Sequence, residues 1–479
     1  MSNTPVNSPP TAKTSLVLFH NDLRVHDNAT LVKAAQLTDD NNGRLLLVYA
    51  QALVDSSNSN NWSQAYHFDE MGVSRAQFLL ESLADLDRSL QQLGNRLLCL
   101  KNDGFQQSNS QDESAGTSNT FTQLCQLIEA QQVTDICVSQ TADYAQNQAY
   151  KALQDKYPHI DWHVQAVTTL FDDMPTKALP QIYTQFRKKV EYDHDLLTAD
   201  FDLLITQTPA TLPEMPDALI NINGDSELFF SRQVIDSSAD NHQAEVNPQS
   251  QFKGGETSAI EHLNSYFESD APSIYKETRN TLDDWTHSTK FSAWLANGSL
   301  SVKVLLNRLR QYEREMVAND STYWIWFELL WREYFYWYAD VHQKQLFTFQ
   351  GISSHKPTTL YDNRSGKAPK EQRLIQWQQG ETAYPIVNAC MKQLNSTGYM
   401  SNRGRQIVAS AFIHELGLDW RYGATYFEQQ LIDYDVASNW GNWQYLAGVG
   451  ADPRGCRQFN LSKQTQQHDP KNEFIDRWA

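Results

Sequence analysis

Residues 15–49 read SLVLFHNDLRVHDNATLVKAAQLTDDNNGRLLLVY. Its two continuous apolar runs, Ser15 to Phe19 and Arg44 to Tyr49, have the length of strands buried on both faces and are too short for helices. Working outward, Arg96 to Leu100, Thr134 to Val138 and His163 to Val167 repeat the pattern. Amphipathic stretches separate them. In Met71 to Leu93, for example, Phe78, Leu79, Leu83, Leu86, Leu90 and Leu93 fall near helical spacing. Residues 14–175 therefore predict an α/β domain of βα units around a five-stranded parallel sheet, with ligands expected at the carboxyl ends of its strands. Neither Gly-x-Gly-x-x-Gly nor a Walker loop occurs, which argues against a dinucleotide or nucleoside triphosphate held in the ordinary way.

From about Asp172 to Gly255 the periodicity fades and Pro, Asn, Asp and Ser accumulate, which predicts a linker over residues 176–255. The basic stretch Phe186 to Val190 interrupts it and reads as a solvated patch. Beyond Gly255 the pattern is helical, in Thr257 to Tyr266, Ser301 to Val317, Thr322 to Tyr338, Tyr384 to Leu394, Arg403 to Leu416 and Ala424 to Leu431. Residues 256–479 thus predict an all-α domain.

The chain has 479 residues, 40% hydrophobic and 20% charged, a globular composition long enough for at least two cores. Its longest apolar runs, such as Leu45 to Val48, fall far short of the ~20 residues a membrane span needs, and Met1 to Lys13 has no signal-peptide core. A cytoplasmic protein is expected. Five cysteines (Cys99, Cys125, Cys137, Cys390, Cys456) without a Cys-x-x-Cys pair argue against a disulfide framework, a zinc ribbon or a clustered iron–sulfur site. The net charge of -18 is uneven: -16 belongs to residues 1–255 and only -2 to residues 256–479, and 11 of the 13 tryptophans follow residue 280. Nucleic acid therefore remains open as a partner for the second half, which can carry a local positive groove.

Three constellations in that half can carry chemistry. Tyr323 to Tyr338 holds ten aromatics in sixteen residues; as a helix it puts Trp324, Glu328, Trp331 and Arg332 along one face, while Trp326, Phe327, Phe335 and Trp337 read as core. A carboxylate and a guanidinium beside rings are costly to bury alone, so Glu328 and Arg332 read as marking a pocket or its rim. Thr397 to Gln406 sets Asn402 and Gln406 one turn apart with Arg403 and Arg405 between them, amides for base edges and cations for phosphates, or simply a capped surface helix. In Leu431 to Tyr445, Asp433 and Asp435 suit a ribose, an arginine or a metal, and Asn439, Trp440 and Trp443 suit a planar ring. The metal reading is weak, because no histidine or third carboxylate is near.

Taken together, Phe19 to Asn28, Tyr183 to Glu191, Gly254-Gly255-Glu256, Tyr275 to Asn280 and the whole stretch Thr397 to Ala479 resemble the photolyase and cryptochrome family, and most closely its DASH-type cryptochromes. The resemblance runs from about residue 14 to the end, with Gln106 to Thr120 and Ser237 to Ser250 outside it. It implies a flavodoxin-like antenna domain followed by a helical domain holding FAD. By resemblance, FAD contacts fall on Tyr275, Ser288, Thr289, Lys290, Phe291, Ser292, Asp433 and Asp435, with Arg405 paired to Asp433 and Asn439 beside the flavin ring. The implied function is blue-light-dependent repair of cyclobutane pyrimidine dimers by electron transfer from FAD. Lesion contacts carry over to Glu328, Trp331, Asn402, Gln406 and Tyr445, and phosphate contacts are expected of Arg279, Arg332 and Arg403.

Gln406 and Tyr445 stand where photolyases of duplex DNA carry methionine and tryptophan, a DASH feature that makes the dimer pocket less apolar and favours single-stranded DNA, whose bases are already unpaired. Asp143 falls where the branch has a glutamate contacting a folate antenna, and Gln146, Asn147 and Gln148 replace its acidic neighbours, so a methenyltetrahydrofolate antenna stays open. The electron-relay tryptophans match Trp443 and Trp420, but the surface member aligns with Lys367; Trp377 or Tyr361 is then a substitute, or Trp420 ends the chain. The rival reading is a blue-light photoreceptor that binds nucleic acid or protein without repair. The lesion contacts favour repair, with DNA as partner and no obligate protein partner.

Overall fold

In β1 (Thr14–Phe19) alternate residues enter different cores: Leu16 and Leu18 pack on one face of the sheet, Val17 and Phe19 on the other. The period-2 alternation of a strand covered on both sides gives the continuous apolar run. The computed structural model describes residues 13–40, 42–51, 53, 71–100, 120–172, 179–193, 202–216, 219, 251–353, 370–451 and 458–479. β1, β2 (Arg44–Ala50), β3 (Leu97–Leu100), β4 (Val133–Ser139) and β5 (Asp161–Gln165) form one parallel sheet of order β3-β2-β1-β4-β5. Helices α1 (Ala29–Asp39) and α2 (Val73–Gln92) cover one face, α3 (Thr120–Ala130) and α4 (Tyr144–Lys156) the other. The strand order turns between β1 and β4, which is where such sheets open a crevice at their carboxyl ends.

The stretch read as linker is partly built structure. Helix α5 (Tyr183–Asp193) buries Tyr183, Phe186 and Val190 against the helical domain, so the basic patch is only the outer face of an amphipathic helix. Residues 202–216 run back along the sheet: Leu45 N donates to Glu214 O at 3.0 Å and Leu212 N to Leu93 O at 2.7 Å.

The second domain comprises α6 (Glu256–Phe267), α7 (Tyr275–Thr278), α8 (Ser292–Ala296), α9 (Val302–Glu315), α10 (Asp320–His342), α11 (Lys370–Gln379), α12 (Pro385–Thr397), α13 (Asn402–Ser410), α14 (Trp420–Gln430), α15 (Val436–Ala447), α16 (Leu461–His468) and α17 (Glu473–Trp478). α10 is its axis. Asn319 closes a capping box at its start, and Trp326, Tyr334, Phe335, Trp337 and Tyr338 are buried along it. A π-turn, Ala411–Glu415, extends α13.

Buried polar groups pin the two domains together. The Arg24 guanidinium donates to the carbonyls of Gly298 at 2.9 Å and Val167 at 2.7 Å, and Glu256 accepts from Val25 N and His26 N at 2.9 Å each. Gly254 and Gly255 are required for this contact. A Cβ at Gly254 would lie 2.1 Å from Phe78 O, and Gly255 has φ +100°. Glu333, fully buried in α10, accepts from Leu170 N at 2.9 Å, Phe171 N at 3.3 Å and Trp337 Nε1 at 2.8 Å, tying the chain after β5 to the helical core. Burial raises the carboxyls of Glu256 and Glu333 above the usual range, against the pull of their donors.

Candidate flavin and lesion site

Helices α13, α14 and α15 surround one cavity, lined by Asn402, Arg405, Gln406, Asp433, Asp435, Asn439 and Trp443 among others. Local capping sets the positions. Ser401 caps α13 by accepting from Gly404 N, and Asp435 caps α15 by accepting from Ser438 N at 2.7 Å. Arg405 Nη2 donates to both Asp433 oxygens, at 2.9 and 2.7 Å, while its Nε donates to Met400 O. The Asp433 side chain is almost wholly buried, so the pair is a fixed wall rather than a surface ion pair. Asn439 Nδ2 donates to Ala424 O at 3.0 Å. A carbonyl only accepts, so the amide is oriented with its oxygen left over for a donor in the cavity. A buried acceptor at Asn439 beside the Arg405–Asp433 pair fits the donor and acceptor edge of a flavin.

The other expected cofactor residues lie apart from that cavity's lining. Tyr275 is buried beside Arg279 and Tyr399, and burial raises its phenol. The loop Ser288 to Ser292 is held by Lys290, whose Nζ donates to Asp284 O at 2.7 Å and Ser288 Oγ at 2.6 Å, and by His262, whose Nε2 donates to Thr289 O at 2.9 Å. The Phe291 ring is core, packed 5.2 Å from His262 and 5.3 Å from Tyr266. Lys290 has φ +56°, and its side chain closes the loop.

Of the lesion candidates, Asn402 and Gln406 line the cavity, while Glu328 and Trp331 lie on α10. Trp331 stacks on Tyr183 at 3.7 Å and 11°, and stands edge-on to Tyr445 at 6.1 Å. Glu328 pairs with Arg279, whose guanidinium lies 4.3 Å over the Trp324 ring. Arg403 donates to Asn280 Oδ1 at 2.9 Å. Arg332 does not join them. Its guanidinium donates to Thr168 O at 2.7 Å and Leu295 O at 3.3 Å, which ties it to the domain junction. Backbone carbonyls at the junction are strong acceptors, and they satisfy a cation the sequence leaves without a visible partner.

Trp443 is buried among Phe427 at 5.3 Å, Phe412 at 5.7 Å and Trp377 at 6.4 Å. The Trp420 ring stands edge-on to Trp440 at 5.7 Å, and its Nε1 donates to Phe349 O. Lys367 and Tyr361 lie outside the described residues. Sequence reasoning missed Tyr183 as a partner of Trp331, although the string holding it was singled out, and missed Arg24, Glu256 and Glu333 as junction residues. No local signal marks any of these pairings.

A family model described as the FAD binding domain of DNA photolyase matches residues 324–479, and one described as DNA photolyase matches residues 15–213. A cryptochrome DASH of Idiomarina loihiensis is 45% identical over 468 residues, covering 97% of this chain and 92% of that protein; one of Vibrio parahaemolyticus is 44% identical, covering 97% and 93%. The crystal structure of a Synechocystis cryptochrome superposes with a TM-score of 0.78 at 33% identity, covering 98% of this chain and 89% of that one. The chain is an FAD-binding protein of the photolyase and cryptochrome family, in its cryptochrome DASH branch.

Proposed function

We propose that the chain is a blue-light-dependent photolyase of cyclobutane pyrimidine dimers that acts preferentially on single-stranded DNA. The observation that carries the reading is the packing beside the cavity: Asn402 and Gln406 line it, and α15, which forms one of its walls, meets α10 through Tyr445 and Trp331, with Glu328 one turn away. FAD, when bound, supplies the light-absorbing electron donor. The protein's part is to hold the flipped dimer against it. The partly exposed Trp331 ring, locked between its stack on Tyr183 and Phe335 at 5.4 Å, offers apolar surface to one pyrimidine, and the amides of Asn402 and Gln406 offer donors and acceptors to base edges. Arg279 engages one oxygen of Glu328, so the other is available to accept from a pyrimidine N–H while the guanidinium stays close enough to meet a phosphate. The polar Gln406 and smaller Tyr445 weaken the apolar grip on a dimer, which tells most where a duplex must also be opened.

The crevice at the strand ends is the candidate antenna site. It is lined by His20, Tyr49, Asp143, Gln146 and, from the helical domain, Glu428 and Tyr434. Asp143 spends one oxygen capping α4, and the buried His20 Nε2, 3.9 Å from its other oxygen, has no hydrogen-bond partner. This supports a ligand with its own polar groups, of which a folate is one.

The test is photorepair of a thymine dimer placed in a single-stranded oligonucleotide and in its duplex. Light-dependent recovery of the bases in the single strand, with much slower recovery in the duplex, is expected. Equal rates under saturating light contradict the strand preference, and tight dark binding of DNA without any repair favours the photoreceptor reading.

A further inference from the structure

A second cleft, of about 250 Å³, adjoins the flavin cavity. Tyr399 and Ser401 line this cleft and Asn402, Arg405 and Gln406 line the cavity, so one turn of chain divides the two. The walls of the cleft are the partly exposed rings of Phe252, Trp285, Tyr399 and Trp478. They are fixed in place. Phe252 packs against Trp285 and Tyr399 at 4.9 Å each, and Trp478 Nε1 donates to Asp283 Oδ2 at 3.2 Å. The wall holds two cations and two carboxylates: Arg477 pairs with Asp283 at 2.8 Å, Lys290 donates to the Asp284 carbonyl, and the Asp284 carboxylate accepts from Thr286. At the floor the Gln393 amide is only 4% exposed, and its Oε1 has no hydrogen-bond partner. Ser401 Oγ accepts from Gly404 N, which leaves its proton for another acceptor.

A ring-walled cleft with no net charge, holding an unpaired amide and a hydroxyl donor, suits a flat neutral heterocycle whose edge both donates and accepts. Its place is equally specific. Thr281, in the wall, follows Asn280, the partner of Arg403, and Ser401 precedes Asn402. The wall of the cleft is therefore continuous in the chain with residues assigned to the lesion rim. We propose that this cleft takes one unpaired nucleobase of the DNA strand, next to the lesion. The inference rests on the reading of the neighbouring rim as the lesion site. A base that turns its Watson–Crick edge to Gln393 and Ser401 must be unpaired, because a duplex hides that edge against its second strand. The cleft thereby selects single strands through a base outside the lesion.

The experiment measures dark binding of the full-length, FAD-loaded protein to a bare dimer dinucleotide and to single strands with undamaged nucleotides added on the 5′ side or the 3′ side. Wild-type protein should gain affinity when nucleotides are added on one side. Trp478→Ala, at the surface, and Gln393→Leu, checked for an unchanged melting temperature, should each lose that gain, by roughly tenfold as expected for one stacked base, and bind the bare dinucleotide as wild type does. Flavin content should not change. Equal loss on the dinucleotide, or no gain from added nucleotides in wild type, overturns the proposal while leaving the lesion site standing. Release of flavin by both variants overturns it by assigning the cleft to the cofactor's own adenine, and failure of every oligonucleotide to bind removes the lesion reading with it.

Discussion

Asp433 and Arg405 show how one pair of residues shapes the site. The carboxylate is buried and held by two short donors, so removing its charge leaves the guanidinium facing the cavity without its counter-ion. Asp433→Asn should weaken FAD retention by about tenfold or more, read as the flavin-to-protein ratio after dialysis; full retention would place the pair outside the cofactor's grip. Among the cations, Arg403 and Arg332 separate by their partners. Arg403→Ala should lower the slope of log affinity against log salt for DNA by about 1, and Arg332→Ala should leave the slope alone, because Arg332 is spent on carbonyls at the junction. In the sequence these two arginines are indistinguishable. Each is a cation in a candidate binding stretch, and only the fold reveals the acceptors.

At the scale of elements, legibility follows burial. β1 and β2 stand out because both faces are covered, whereas β5, an edge strand of mixed exposure, begins two residues earlier than the apolar run at His163 indicates. α5 hides because Arg187, Lys188 and Lys189 sit between its buried residues and mask the spacing of Tyr183, Phe186 and Val190. The long helix α10 is legible because rings recur on every turn, but the Tyr183–Trp331 stack spans a gap in sequence that no periodicity reports. α14 and α15 bring Trp420 and Trp443 into the helical core, and α11 adds Trp377 against Trp443. Photoreduction should therefore nearly vanish in Trp443→Phe, which removes the ring that lines the cavity. Trp420→Phe should reduce it severely and Trp377→Phe less so. Transient absorption decides between routes, and a tryptophan radical lost in Trp377→Phe but kept in Trp420→Phe would reverse the order.

At the scale of the molecule, the two domains are joined by buried polar groups rather than by an apolar interface alone. Glu333→Gln keeps one acceptor oxygen where the carboxylate offers two, and should cost about 1–3 kcal/mol. The pH dependence has a definite sign. Because burial raises the Glu333 carboxyl, its protonated form is favoured by folding; that stabilisation is complete below the ordinary glutamate range and is lost as pH rises through the raised value. The deficit of Glu333→Gln against wild type should accordingly be larger near pH ~5 than near pH ~8 in denaturant melts, and a deficit that grows with pH would contradict the burial argument. On the proposed reading, function is also a whole-molecule property, since the residues assigned to the lesion come from α10, α13 and α15, with α5 supplying the ring stacked on Trp331. The most direct measurement is the quantum yield of dimer repair in a single-stranded oligonucleotide by FAD-loaded wild type and Glu328→Ala, with FAD fully reduced in both and the flavin ratio recorded. The account predicts efficient repair by wild type and a clear loss in the variant at unchanged flavin content. No repair by flavin-loaded, reduced wild-type protein would contradict it.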